Sequence, residues 1–122
     1  MIVGDLNTAN NITYRSYIGA ILIGGNQDDR LNFDAGGGLM IGGSGADTFV
    51  FARSQVGVPA VIADFQDGQD KIDMKGLALD FSSLAITRTT DATLVHADVF
   101  GGTIDIKLYG VHSLTANDFL LA

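Results

Sequence analysis

The chain contains no cysteine, no tryptophan, no glutamate and a single proline, and each absence narrows the possibilities. Without cysteine there is no disulfide, no thiolate metal site and no thiol nucleophile, and the redox compartment is left open. Without glutamate, all 14 acidic residues are aspartates. Aspartate favours turns, caps and oxygen coordination, whereas glutamate favours helix interiors. With 16 glycines alongside, the composition predicts an all-β protein with many tight turns. Basic clusters are missing too: Arg15, Arg30, Arg53, Lys71, Lys75, Arg88 and Lys107 are scattered, and the net charge is −7. Phosphate backbones and anionic lipid heads would be repelled, so the expectation is no nucleic acid and no membrane insertion, with a cation as the favoured partner. No apolar run reaches transmembrane length, and the start "MIVGDLNTANN" lacks the basic and apolar regions of a cleavable signal peptide. Any export is therefore expected to use another route.

What the chain does have is a period. Leu22, Leu31, Met40 and Phe49 recur every nine residues. Short β-runs alternate with glycine and aspartate turns, in a unit too short for a helical repeat. This is the period of a β-solenoid in which one repeat makes half a turn. Residues 18 apart then stack on one edge, which places Asn11, Asp29 and Asp47 in one line and Ala20, Gly38 and Val56 in the opposite one. Only the first line carries oxygen ligands.

The turn "GGSGAD" has the chemistry of a Ca²⁺ loop. The ion takes roughly six to eight oxygens at about 2.3–2.6 Å. Glycines let the backbone turn several carbonyls inward, and the aspartate supplies charge. Gly42, Gly43, Gly45 and Asp47 fit this pattern in full, and Gly24, Gly25 and Asp29 fit it with Gln27 in place of a glycine. About one Ca²⁺ site is expected, centred on Asp47 with Asp29 joining it, and a second is left open. The bland alternative is that these aspartates only bond their own turns. Asn11 is a weaker candidate, because "LNTANN" has no glycine to shape a loop.

"GGSGADTFVF", followed by "VIADFQDGQDKIDMKGL" and ending in "LTANDFLLA", resembles the carboxyl-terminal region of RTX proteins exported by type I secretion. The likeness extends to the serralysin carboxyl-terminal domain and to the R-modules of mannuronan C-5 epimerases. The resemblance implies a short parallel β-roll capped by carboxyl-terminal antiparallel strands, in a single domain over residues 1–122. The roll would occupy about residues 10–51, a loop 52–60, and capping strands with the secretion-signal region 61–122. It also implies a bacterial, secreted, non-enzymatic module that binds calcium and engages the type I secretion machinery. The alternative it raises is a polysaccharide-binding accessory module.

In the second half, "ATLVHADVF", Gly101-Gly102 and "TIDIKLYG" read as a hairpin, with Ile104, Ile106 and Leu108 on one face and Asp105 and Lys107 on the other. Asp64, Asp67, Asp70 and Asp73 do not match an EF-hand, which would end in glutamate, and read as turn and strand-face charges. His96 and His112 are isolated, and zinc would need further nitrogen or sulfur ligands. Ser44 lacks a nucleophile-elbow spacing, and the glycine loops lack the lysine of a phosphate loop. The sequon at Asn11 to Thr13 carries no weight in a chain of bacterial resemblance. No constellation for catalysis emerges.

Overall fold

The computed structural model describes residues 2–4, 10–15, 20–35, 38–51, 59–77, 79–99, 102–110 and 112–121. The strands are β1 (Ile2–Val3), β2 (Asn11–Arg15), β3 (Ala20–Gly25), β4 (Arg30–Ala35), β5 (Gly38–Gly43) and β6 (Thr48–Val50). They continue with β7 (Ala60–Ile62), β8 (Lys71–Asp73), β9 (Leu84–Arg88), β10 (Ala92–Val99), β11 (Gly102–Tyr109) and β12 (Phe119–Leu120). Through β8 the chain deals strands alternately to two sheets. One has the order β1-β3-β5-β7-β11-β10-β9 and the other β12-β8-β6-β4-β2. All pairs within the coiled part are parallel, as a roll requires.

The nine-residue apolar positions form the spine of the core. Leu22, Leu31, Met40 and Phe49 are completely buried, and Ile62 and Ile72 extend the line with equal burial. Their outward neighbours in the second sheet are polar: Arg30 pairs with Thr48, and Thr48 with Lys71. Burying one residue per short strand from each side fills the narrow space between the sheets by the ordinary inward–outward alternation.

Register is where the structure departs from simple repetition. Ala20 pairs with Gly38 and Arg30 with Thr48, the expected 18-residue stacking. Asn11, however, pairs with Arg30, a step of 19. Leu39 pairs with Val61, a step of 22, and Thr48 with Lys71, a step of 23. The coil therefore does not stop at Phe51. β7 and β8 lie in different sheets, parallel to β5 and β6, and make one more turn of the roll around "ADFQDGQD". Extra residues in the connections stretch the nine-residue period and hide this turn from sequence reading, while inward packing of Ile62 and Ile72 preserves it. Residues 52–58 of the expected loop lie outside the described residues, as does Val56 of the opposite edge.

The antiparallel part starts at β9. The hairpin β10–β11 closes between Val99 and Gly102, and Ile104, Ile106 and Leu108 are buried as the alternation requires. β11 adds parallel to β7, so the hairpin and β9 prolong the first sheet. β12 adds parallel to β8 through Phe119 and Ile72 and prolongs the second. Each sheet of the roll thus gains a neighbour at this end, so that β7 and β8 are paired on both sides and the sheets end at β9 and β12.

Candidate metal centre on one edge of the roll

The turns Gly24 to Asp29 and Gly42 to Asp47 stack directly, so that Gly24, Gly25, Asp29, Gly42, Gly43, Gly45 and Asp47 all come to one edge. A ladder of carboxylates runs through them. The Asn10 amide donates to Asp29 Oδ1 at 2.7 Å, the Asp29 amide to Asp47 Oδ1 at 2.9 Å, and the Asp47 amide to Asp70 Oδ1 at 2.9 Å. Each side chain therefore ties its own turn to the one beneath. Asp29 and Asp47 are 3% and 1% exposed.

The second oxygens behave differently along the ladder. Asp70 Oδ2 accepts the Gln66 amide at 2.8 Å, so Asp70 is satisfied on both sides. Asp29 Oδ2 and Asp47 Oδ2 are buried with no hydrogen-bond partner. Both point at the first glycine of their own turn: a Cβ on Gly24 would lie 2.4 Å from Asp29 Oδ2, and one on Gly42 2.3 Å from Asp47 Oδ2. Glycine is thus required there by space. A buried carboxylate oxygen without a partner costs several kcal/mol unless a proton or a cation meets it.

Further aspartates brace the same edge. Asp64 accepts the amides of Gly42 and Gly43 at 2.9 and 2.7 Å, and Asp28 accepts that of Ala46 at 2.7 Å. The turns are also in close backbone contact. The Ser44 amide donates to the Gly25 carbonyl at 2.9 Å, and a Cβ on Gly43, whose φ is +89°, would fall 1.9 Å from that oxygen. This crowding of carboxylates is felt in their acidity. Burial pushes the Asp47 carboxyl from 3.8 up to about 7; the amide of Asp29 opposes the rise, and repulsion from Asp70, Asp29 and Asp64 adds to it. Burial also raises Asp70.

Among the described residues, no three aspartate or histidine side chains gather in a metal-binding group. An ion at this edge would then draw on one carboxylate per turn and complete its shell from backbone carbonyls. Such an all-oxygen donor set, with no nitrogen or sulfur, suits Ca²⁺. The unpartnered Asp29 and Asp47 oxygens, each facing a glycine cradle, fit that ion.

An 18-residue step would place Asn11 in this line, but the 19-residue step puts Asn10 there, bonded to Asp29 Oδ1 through its side chain at 3.0 Å as well. Asp70, expected as a turn charge, proves to be a full rung. A signal for both existed: each rung stands two residues before an inward apolar residue, as in Asn10 and Ile12, Asp29 and Leu31, Asp47 and Phe49, Asp70 and Ile72. Asp67 and Asp73 lie off the ladder. Asp73 accepts Arg30 Nη2 at 2.9 Å and the Lys75 amide at 3.0 Å, while Asp67 meets His112 Nδ1. His96 sits between Asp105 and Asp98, at 2.6 and 3.1 Å. Hydrogen bonds to Asp105 and then Asp98 raise its pKa.

Two parallel sheets wound from short strands, with glycine–aspartate turns stacked on one edge, define a β-roll repeat protein. The model of the M10 peptidase serralysin carboxyl-terminal family matches residues 2–98, and the chain belongs to that family. Its solved neighbours include the R2 subunit of the AlgE6 mannuronan C5-epimerase from Azotobacter vinelandii, at 25% identity and a TM-score of 0.60. That match covers 99% of this chain and 92% of the other. The R3 subunit of the same enzyme follows at 24% identity and 0.53, over 93% and 78% of the two chains. The extracellular lipase LipA of Serratia marcescens shares the fold at 19% identity and 0.57, over 98% of this chain and 21% of the lipase. No curated protein sequence matches. The chain is therefore a β-roll module of the RTX repeat type, a kind of domain that generally binds calcium.

Proposed function

We propose that this is a non-catalytic module whose fold is completed by Ca²⁺ outside the cell, after export by a type I route. The observation that carries the reading is the pair of buried, unpartnered oxygens, Asp29 Oδ2 and Asp47 Oδ2, each aimed at the glycine of its own turn. Two such oxygens argue for two ions, with Asp28, Asp64 and Asp70 holding the turns in place by accepting amides. In a calcium-poor cytosol the carboxylates repel one another and the roll is weakened, which suits a chain that must cross a transporter unfolded. At an affinity of about 10⁻⁴ M and an external concentration a hundredfold higher, each ion adds about 2.7 kcal/mol. That is a large share of a domain's stability.

Isothermal titration of chelator-treated protein with Ca²⁺ tests the central claim. A stoichiometry near two that falls in Asp47→Ala supports it; no heat in either protein sinks it.

The similarity to the epimerase R2 subunit over nearly both chains favours a second reading, a polysaccharide-binding accessory module. Against it, the basic rank on the second sheet is already engaged, Arg30 with Asp73 and Lys71 with the Asn117 carbonyl. Retention on immobilised alginate at low salt is the discriminating measurement.

A further inference from the structure

A cavity of about 330 Å³ opens between β9 and the segment after β11, lined by Ile86, Arg88, His112, Ser113, Leu114 and Thr115. Among the described residues no carboxylate lines it, in a chain with 14 aspartates. Arg88 makes no ion pair among the described residues; its Nη1 reaches only Ser113 Oγ, at 3.3 Å. The hydroxyl that accepts this bond keeps its own proton to donate. Ile86 and Leu114 supply a partly buried apolar floor.

The walls are held from behind. His112 has both ring nitrogens against acceptors, Asp67 Oδ1 and, at 2.8 Å, the Tyr109 carbonyl, and its amide donates to Thr93 Oγ1 at 2.8 Å. The imidazole and the Phe65 ring stand perpendicular, with centroids 5.7 Å apart. Thr115 is fixed by the Asp118 carboxylate, which accepts its amide at 2.8 Å. An oriented guanidinium beside a hydroxyl, over an apolar floor and between fixed walls, is the arrangement that recognises a carboxylate attached to a less polar body.

We infer that this cavity is a binding site for a small organic carboxylate, whose carboxylate is taken by Arg88 and Ser113 and whose ring or chain lies on Ile86 and Leu114. The site is remote in role from the calcium edge and does not depend on the reading given to it. Two sources share this chemistry, a sugar acid and a short fatty acid, and the size of the cavity admits either.

The test is an NMR titration of the isotope-labelled full chain, in Ca²⁺, with sodium glucuronate, sodium octanoate and inorganic phosphate as separate probes. The inference expects saturable shifts at Arg88, Ser113 and Thr115 with one of the carboxylates, at an affinity on the order of millimolar. Which carboxylate binds identifies the source. Arg88→Gln is expected to weaken binding about tenfold or more, whereas Lys107→Gln, on the other side of the hairpin, leaves it unchanged. Shifts spread over all basic residues, phosphate binding as tightly as the carboxylates, or full binding by Arg88→Gln would each overturn it.

Discussion

Asp47 has one oxygen on the amide of Asp29 and the other on nothing, in a place where solvent does not reach. Its carboxyl is raised to about 7, so in the absence of a cation the native state holds a proton that the unfolded chain releases near its ordinary 3.8. Between those values the native state binds more protons, and stability falls as pH rises; above about 7 the full penalty is present. The apo protein is therefore expected to melt higher at pH 5 than at pH 8 when scanned with chelator. Saturating Ca²⁺ should reduce or reverse that difference, because the ion replaces the proton. Replacing Asp47 with Asn keeps an oxygen for the Asp29 amide and removes the charge. Asp47→Asn is expected to melt at least as high as the parent in chelator at pH 8 and to lose most of the upward shift with Ca²⁺. A lower apo melting temperature would mean that the carboxylate stabilises the empty turn.

At the level of the turn, glycine matters in two different ways. Gly43 is in the left-handed region and also pressed against the Gly25 carbonyl, so no side chain can be placed there without moving backbone. Gly43→Ala is expected to cost more than about 3 kcal/mol, by local strain and by separating the stacked turns. Gly68 has nearly the same φ, +82°, but open space around it. Gly68→Ala should cost only about 1–2 kcal/mol, the price of the left-handed conformation alone. Urea denaturation of both variants checks the contrast, and equal losses would show that stacking adds nothing at Gly43. The "GGxGxD" pattern made the two stacked turns legible because glycine and aspartate requirements are local. The third turn, "ADFQDGQD", has Asp64 and Phe65 in place of the two leading glycines and so escapes the pattern, although its Asp70 joins the same ladder.

The molecule as a whole is closed at one end by elements distant in sequence. Phe119 brings β12 onto β8 and packs its ring 5.7 Å from that of Phe81, so the last residues complete the core of the coiled part. Phe119→Ala is expected to destabilise the whole domain by about 3–5 kcal/mol in a single transition. Loss of β12 alone, with an unchanged melting temperature for the rest, would show that the end strand is an appendage. If the fold couples the two ends in this way, the same variant should also weaken Ca²⁺ binding in proportion to the fraction unfolded. Titration at a temperature below and near its midpoint measures that coupling.

Periodicity and turn chemistry are properties of neighbouring residues, and for that reason the sequence by itself determined the roll, the buried line of Leu22, Leu31, Met40 and Phe49, the hairpin after Ala92 and the two glycine turns that face the candidate ions. The alignment of one coil on the next is not local. Connections of unequal length allow several registers, and the packing of Ile12, Leu31, Phe49 and Ile72 against one another selects steps of 19, 18 and 23 residues. The tertiary structure therefore decided between Asn10 and Asn11, which the two-residue spacing before Ile12 only hinted at, extended the roll through Asp73, and left Asp29 and Asp47 each with one oxygen facing glycine and no partner.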